Sequence, residues 1–378
     1  MRFDEARHLQ LEPPAFVKML SPLDPLQTDC VRYPVPLSSS EEPGCMAEAR
    51  AYATGEPVQF TGLAYTAPFR VLSEEGVQIF RQIISANERF AGCVPSLVPK
   101  CIRGLGYRSR FVSDLNHSPL LLKHLAHCAG IALGPHGMAM NHSQINFGEV
   151  GGGPVNQWHM DSVPYVMVIL LSDATDMEGG ELLVARLGDP HKALEMIRNE
   201  TIDPKLIDRV NYPGPGHAIF MQGSQIAHAV TPVVRAREKR LTCINSYQSL
   251  NPFSKDCTVY KTFTTMDGDA PQYEFARNVA WRVQGQLDYL LHRVLNGRRG
   301  HADVEAVLTG AAAELQRARD LITNKIEDQR PYDVDGSAAA VADAAIKNYG
   351  TRLFDGTVHG GADPASKQVA AMMRQSKL

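Results

Sequence analysis

The sequence predicts a mainly β core with helices, folded as a double-stranded β-helix, that is, a jelly-roll barrel. Short runs of apolar and β-branched residues recur through 141–255, each of a length typical of a strand. Glycine and proline turns separate these runs. In the first run, Gln144 and Asn146 alternate with Ile145 and Phe147. Such alternation is typical of a barrel that directs every second side chain inward.

The composition of the chain divides it into four regions. Residues 1–60 are an N-terminal arm in which repeated prolines prevent long helices, and residues 61–140 are a helical support region. Residues 141–255 are the β core, with a lid-like insert at 187–212, and residues 256–378 are a helical C-terminal extension and tail. The insert could act as a lid over the barrel mouth or be a solvated surface excursion.

Helix signals predict the elements around the core. Ser73 and Ser118 are typical helix N-caps, each followed by apolar residues at helical spacing. Two longer helices are predicted at Ala276–Val294 and Val304–Ile326, with leucines at helical intervals in the first. We interpret these two helices as packed on the outside of the barrel or as a contact in a homodimer.

Charge, apolar runs and cysteine content indicate which partners and which location to expect for the protein. The net charge of −3 gives no basic footprint for nucleic acid. No apolar run approaches the length of a membrane span, and the first residues lack the apolar segment of a signal peptide. The seven cysteines include no C-x-x-C pair, which is typical of reduced thiols. We therefore expect a soluble cytoplasmic protein without a nucleic-acid or membrane partner.

A His-x-Asp motif opens the strand-rich part of the core. Residues two apart on a strand point to the same side, so His159 and Asp161 face together. A third ligand from elsewhere in the chain would complete a face of two histidines and one carboxylate, as in non-haem Fe(II) oxygenases. Alone, the motif could be a chance occurrence. A second copy, His301-Ala302-Asp303, leads into a segment of helical spacing.

Three later histidines are candidates for the third ligand. His191 follows Asp189-Pro190 at the start of a helix-like segment, and His217 follows a proline–glycine turn at the start of a strand. Both positions have ordinary structural explanations. His228 lies between two strand-like runs, and we predict that it is the distal metal ligand.

An arginine opens the strand-like run that follows His228. A buried Arg240 would need an anionic partner, and its planar guanidinium matches a carboxylate. Thr242 lies on the same side of the strand and adds a hydroxyl donor. The alternative is a surface residue, since most arginines are exposed.

In this order, the motifs of residues 143–250 resemble those of the Fe(II)/2-oxoglutarate-dependent oxygenases, in style their prolyl-hydroxylase-like branch. The motifs are His159-x-Asp161, Glu178-Gly179-Gly180-Glu181-Leu182, His228-Ala229-Val230-Thr231-Pro232-Val233 and Arg240-Leu241-Thr242. The resemblance implies that His159, Asp161 and His228 are catalytic ligands of Fe(II). It also implies that Arg240 binds the distal carboxylate of the co-substrate 2-oxoglutarate, with help from Thr242. Halogenases of the family carry a small residue in place of the carboxylate, so Asp161 argues against halogenation.

Further polar residues are candidates for contacts with the co-substrate or substrate. Gln144 and Asn146 could point inward and bind the co-substrate, or they could contact the substrate. The candidates for substrate contact are Gln157, Arg103, Arg108 and Arg110. The arginines could offer a cation to a substrate carboxylate, or they could form a basic loop or edge strand on the surface.

The resemblance implies an enzyme, a dioxygenase that couples decarboxylation of 2-oxoglutarate to C–H abstraction from a small molecule. We expect the substrate to be an amino acid or a natural-product intermediate. Hydroxylation is the default outcome, and desaturation or cyclisation would use the same residues. The alternatives are a peptidyl (prolyl-type) hydroxylase, a non-catalytic metal-binding barrel, and a metal-dependent isomerase or hydrolase that needs no 2-oxoglutarate.

Overall fold

The computed structural model describes five stretches of the chain, residues 2–13, 16–18, 63–94, 98–295 and 300–328. Most of the predicted N-terminal arm lies outside these described residues. The alanine-rich segment and tail beyond residue 328 lie outside them as well.

The described chain alternates helices with short strands. The helices are α1 (Glu5–His8), α2 (Glu74–Asn87), α3 (Leu105–Arg108), α4 (Arg110–Asn116), α5 (Pro119–Ala129), α6 (Pro190–Arg198), α7 (Tyr260–Asp267), α8 (Pro271–Tyr289), continued by a π-helical segment (Leu290–Leu295), and α9 (His301–Ile322). The strands are β1 (Phe16–Lys18), β2 (Leu63–Thr66), β3 (Phe69–Arg70), β4 (Gly92–Val94), β5 (Val98–Ile102), β6 (Leu133–Pro135), β7 (Gln144–Gly148), β8 (Asn156–His159), β9 (Tyr165–Leu170), β10 (Glu178–Gly179), β11 (Leu182–Ala185), β12 (Ile207–Val210), β13 (His217–Met221), β14 (His228–Val230), β15 (Val233–Arg235) and β16 (Arg240–Ser249). Short 3-10 turns occur at Glu88–Phe90, Ala139–Asn141, Pro204–Leu206 and Gly223–Gln225.

Two main sheets form the β core. The ten-stranded sheet runs β1-β2-β13-β9-β16-β7-β5-β4, with β3 beside β13 and β6 beside β16. The four-stranded sheet runs β12-β11-β14-β8, and β10 pairs with β15. The strands pair in an antiparallel manner. The predicted mainly β core with helices is therefore confirmed, while the described strands pair as separate sheets and do not close into one continuous barrel.

Side chains from both main sheets fill the space between them. Val166 of β9 and Ile219 of β13 belong to the same buried cluster as Leu182 and Val184 of β11. Cys243 and Tyr247 of β16 point to the opposite face of the large sheet. They pack there in a second buried cluster, with residues of the N-terminal helices. The period-two alternation of the strands thus gives the large sheet two buried faces.

The N-terminal helices cover the outer face of the large sheet. α2 and α5 begin where the sequence predicts, because Ser73 accepts from the Gly76 N–H and Ser118 accepts from the Leu121 N–H. Phe80 of α2 and Phe111 of α4 are fully buried in the cluster against this sheet. Burial of each such ring stabilises the fold by about 1.5–3 kcal/mol. These helices therefore hold the sheet that carries Arg240.

The insert at 187–212 contains a helix and a strand. α6 is capped by Asp189 and buries Ala193 and Leu194 beside Met160 of the metal motif. β12 then pairs with β11 as an edge strand of the smaller sheet. The second half of the insert is therefore part of the core, and a lid function for α6 stays a prediction.

The C-terminal helices pack against the β core, and their role as an outer layer or as a dimer contact stays a prediction. Phe263 of α7, Phe275 of α8 and Leu321 of α9 belong to the same buried cluster as Val166 of β9 and Leu182 of β11. A buried ion pair between Arg282 and Glu314 joins α8 to α9. None of the helices in the described part combines the length and the apolar character that a membrane span requires.

Candidate metal centre

The structure brings His159, Asp161 and His228 together at the ends of two neighbouring strands. His228 of β14 is the register partner of His159 of β8, and their ring centroids are 4.3 Å apart. The Nε2 atom of His159 lies 3.5 Å from Oδ1 of Asp161, and Nε2 of His228 lies 3.6 Å from Oδ2. One ligand atom from each residue lies within 4.8 Å of the others, and no second such group occurs among the described residues.

Backbone carbonyls orient both imidazole rings. Nδ1 of His159 lies 2.6 Å from the carbonyl oxygen of Gln157, and Nδ1 of His228 lies 3.1 Å from that of Ile226. A carbonyl only accepts hydrogen bonds, so each neutral ring carries its proton on Nδ1. Each Nε2 atom then carries a free lone pair within 3.6 Å of the Asp161 carboxylate. This tautomer, fixed by a backbone partner, is the one that a metal ion needs.

The carboxylate of Asp161 fits a cation. Its Oδ2 atom is buried and has no hydrogen-bond partner in the described structure. A buried carboxylate oxygen without a partner is costly, and a bound cation removes that cost. Gly223 makes the position possible, because a Cβ atom on Gly223 would lie 1.8 Å from Oδ2. The Asp161 N–H also donates to the Gly223 carbonyl at 3.0 Å.

The charges of the cluster favour a divalent cation. Burial raises the pKa of Asp161, but the facing His228 and His159 outweigh burial and hold that pKa below its usual value. Burial, together with repulsion from His159, lowers the pKa of His228 to about 4. At neutral pH the cluster therefore has an ionised carboxylate and a neutral His228, which is the protonation state in which these side chains bind metal.

A cavity connects the metal cluster with Arg240. β16 contributes Arg240, Thr242 and Ile244 to its wall, which are alternate residues of one strand. Asn146 is the register partner of Thr242 on β7 and lines the same cavity. The cavity lies between the sheets, so a ligand in it would contact the metal cluster and the arginine together.

Arg240 is a buried cation without a carboxylate partner among the described residues. Its exposed fraction is 1%, and its Nη1 atom donates to Oγ1 of Thr242 at 3.2 Å. Burial lowers the pKa of Arg240, although Tyr212 opposes this, and the guanidinium stays protonated. Burial of an uncompensated charge is strongly unfavourable. The arrangement therefore favours an anion, and the planar guanidinium suits a carboxylate.

The Gly179-Gly180 motif makes room for Arg240. Both glycines have positive φ values, +78° and +68°. A Cβ atom on Gly180 would lie 2.7 Å from Cδ of Arg240, and one on Gly179 would lie 2.0 Å from the Pro232 carbonyl oxygen. The two glycines therefore form a turn and also leave space for the Arg240 side chain. The sequence pattern alone did not indicate this second role.

Of the other residues predicted to contact the co-substrate or substrate, some line a cavity and others do not. Gln144 and Arg103 line a second cavity that also reaches the metal cluster. Gln157 has an exposed side chain and contributes its backbone carbonyl to His159. Arg108 lies over the Phe90 ring, and Arg110 is 79% exposed beside Asp114. Neither cavity is lined by Gln157, Arg108 or Arg110.

Arg103 lies in a buried ion pair, and its contact with the substrate stays a prediction. It is buried and not on the surface, and its Nη2 atom lies 2.6 Å from Oδ2 of Asp267. Burial raises the pKa of Asp267, and the contacts with Arg103 oppose that rise. Because arginine stays protonated, these contacts favour the ionised carboxylate. Nothing near Arg103 in the sequence indicates this partner, which lies 164 positions later.

Several residues of the site were not predicted. Nδ2 of Asn156 lies 3.2 Å from Nε2 of His159, and its Oδ1 atom is buried without a partner. Tyr212, at the end of the insert, lines the cavity near Arg240. The position of Asn156 three residues before His159 was an available signal, since it begins the same strand. For Tyr212 the sequence offers no such signal.

Comparison with known proteins gives weak similarities. The sequence matches no family model and no curated protein. Its structure is similar to that of EctD from S. alaskensis with 2-oxoglutarate and 5-hydroxyectoine, at 16% identity over 66% of this chain and 88% of that chain, with a TM-score of 0.39. For a Pseudomonas putida prolyl-4-hydroxylase the identity is 11% over 54% of this chain and 98% of that chain, with a TM-score of 0.35.

A further similar structure is SnoN, a non-haem alpha-ketoglutarate-dependent epimerase from nogalamycin biosynthesis. Its identity is 15% over 58% of this chain and 77% of that chain, with a TM-score of 0.30. At such low identities and TM-scores these similarities establish no function for this chain. Its functional assignment therefore depends on the residues of the site.

Proposed function

We propose that this chain is an Fe(II)- and 2-oxoglutarate-dependent oxygenase that acts on a small molecule. The observation that supports this most is the pairing, in one cavity, of a His-Asp-His cluster with a buried arginine that has no carboxylate partner among the described residues. A barrel that only binds a metal needs the His-Asp-His cluster but not the buried arginine. A dicarboxylate that binds a metal at one end and an arginine at the other accounts for both.

In this proposal His159, Asp161 and His228 would hold Fe(II), as a two-histidine, one-carboxylate ligand set does in non-haem oxygenases. When bound, the iron activates O2 at the expense of 2-oxoglutarate and supplies the oxidising power for C–H abstraction. Arg240 and Thr242 bind the distal carboxylate, which orients 2-oxoglutarate. The apolar side chains of Val166, Val168 and Leu182 limit the access of water to the same cavity.

Hydroxylation of an amino acid or a natural-product intermediate is the proposed outcome, and desaturation or cyclisation would use the same residues. The cytoplasmic location and the homodimer stay predictions. Exposed leucines on the C-terminal helices, Leu287 before the π-helical segment and Leu308 and Leu315 on α9, are the residues that such a dimer would cover. Measurement of the mass of the protein in solution tests this prediction.

Fe(II)-dependent release of succinate from 2-oxoglutarate tests the proposed class. The wild type is expected to form succinate only with Fe(II) and O2 present, and His228→Ala is expected to form none. Truncation of one partner of a buried charge pair costs about 2–5 kcal/mol. Arg240→Ala should therefore raise the half-saturating concentration of 2-oxoglutarate by at least ~30-fold.

Arg237→Ala is the matched control. Arg237 precedes Arg240 by three residues but is 71% exposed, and it pairs with Asp176 on the surface. Its loss should leave the 2-oxoglutarate requirement unchanged. Succinate formation by the iron-loaded wild type that does not exceed that of His228→Ala would favour a binding barrel or a metal-dependent hydrolase instead.

A further inference from the structure

The second cavity also borders the metal cluster. It shares His159, Asp161, Asn146 and Asn156 with the first cavity, but neither Arg240 nor Tyr212 lines it. Its lining includes the polar residues Asn141, Gln144 and Asn146. It also includes the apolar residues Val98, Phe263 and Met266. A molecule here would lie next to the metal ligands without displacing a carboxylate from Arg240.

The cation in this cavity already has an anion. Nε of Arg103 lies 3.1 Å from Oδ1 of Asp267, and Nη2 lies 2.6 Å from Oδ2. Asp267 itself does not line the cavity. Asp267 therefore neutralises Arg103 from outside the cavity. A ligand carboxylate in the cavity would contact a guanidinium whose charge is already compensated.

Arg103 also fixes the direction of a series of amide hydrogen bonds. Its Nη1 atom donates to Oδ1 of Asn141 at 2.8 Å and to Oε1 of Gln144 at 2.5 Å. Arginine has no acceptor, so both amides must turn their oxygens toward it. Gln144 then donates through Nε2 to Oδ1 of Asn146 at 2.8 Å. The side-chain oxygen of Asn146 therefore accepts from Gln144, which leaves the NH2 group of Asn146 as the donor for a ligand.

The other polar groups of the cavity are uncharged. Apart from the metal cluster and the neutralised Arg103, no charged residue of the described chain lines it. The hydroxyls of Ser162 and Thr262 bond to each other at 2.7 Å. Both charged ends of a free amino acid would have to be buried here without a partner of opposite charge, which is unfavourable.

We propose that this cavity is the substrate site and that it selects an uncharged molecule. The substrate presents a carbonyl, ether or hydroxyl oxygen to the NH2 group of Asn146 and an apolar portion to Phe263 and Met266. This inference rests on the proposed function, because the metal cluster must carry the reaction. Within that function it favours a neutral intermediate over a free amino acid.

The test uses matched pairs of probes on the Fe(II)- and 2-oxoglutarate-loaded protein without O2. Each pair is a small carboxylic acid and its primary amide on the same carbon skeleton, and the panel covers a series of skeleton sizes. Binding is measured as the change in the visible Fe(II)–2-oxoglutarate charge-transfer band, so no turnover is needed. Amides are expected to bind at least ~10-fold more tightly than their acids.

Three results would overturn the inference, namely acids binding as tightly as amides, acids binding more tightly, or no response to any amide in the panel. All three are distinct from failure of the proposed function, in which the charge-transfer band itself does not form.

Asp267→Asn provides a second test in the same assay. It keeps the shape of the side chain but removes the charge that neutralises Arg103. Acid probes are then expected to gain at least ~10-fold in affinity relative to the wild type, and amides are expected to gain little. Glu149→Gln is the control, because this exposed carboxylate pairs with Lys100 and lines neither cavity. An unchanged acid-to-amide ratio in Asp267→Asn would show that Asp267 does not set the charge of the site.

Discussion

Asp161 illustrates how much of the site depends on single atoms. Its Oδ2 atom is buried without a hydrogen-bond partner in the described chain, and the space beside it exists because residue 223 has no Cβ. The sequence predicts the His159 and Asp161 pair from strand periodicity alone. It cannot predict Gly223, because that contact depends on how the 3-10 turn after β13 packs against β8.

Gly223→Ala should weaken metal binding without unfolding the protein. The added methyl group would lie 1.8 Å from Oδ2, so Asp161 must rotate away from the two Nε2 atoms. Changes next to metal ligands reduce affinity by about 10–100-fold, which an anaerobic Fe(II) or Co(II) titration would measure. Gly153→Ala is the control, because nothing lies within 4 Å of the methyl position there. Equal affinities of the two variants would contradict this role for Gly223.

At the scale of elements, the sequence predicts those with strong local signals. α2 and α5 follow from their serine caps, and β7 follows from its alternation. β12 was missed because its Ile207-Asp208-Arg209-Val210 sequence is short and half charged, which is common for an edge strand. The position of α7 could not be predicted because its partners are distant in the sequence: Asp267 pairs with Arg103, and Thr262 bonds to Ser162.

The β10–β11 turn gives a prediction at this scale. Gly180→Ala should weaken the binding of 2-oxoglutarate by at least ~10-fold while Fe(II) binding stays the same, because the new methyl group displaces the Arg240 stem. Isothermal titration of the metal-loaded protein with 2-oxoglutarate measures this.

Gly151→Ala is the matched control for Gly180→Ala. Gly151 also has a positive φ, +76°, so alanine is strained at both positions, but nothing lies within 4 Å of its methyl position. If both variants lose the same affinity, backbone strain and not contact with Arg240 is the cause.

At the scale of the whole molecule, the buried Arg103–Asp267 pair joins the support region to the C-terminal extension. The sequence suggests a cation at Arg103 but not its partner, since pairing across 164 positions is a product of the complete fold. The same long-range packing carries Phe263 and Met266 to the wall of the second cavity. Local periodicity contains no information about such contacts.

Removal of one member of this pair should destabilise the fold far more than removal of both. Asp267→Ala leaves a buried guanidinium uncompensated and should cost about 3–5 kcal/mol of unfolding free energy. The double variant Arg103→Met with Asp267→Leu should cost much less, as measured by urea denaturation. Arg110→Ala, at an exposed pair with Asp114, should change stability by no more than about 0.5 kcal/mol. Additive losses in the double variant would contradict the coupling.

An anaerobic titration of the apoprotein with Fe(II) and then 2-oxoglutarate tests the proposed activity most directly, because it needs no knowledge of the substrate. We predict a visible charge-transfer band in the wild type, no band in His228→Ala, and a band in Arg240→Ala only at far higher 2-oxoglutarate concentrations. The absence of the band from folded, iron-loaded wild-type protein would contradict the assignment as an oxygenase.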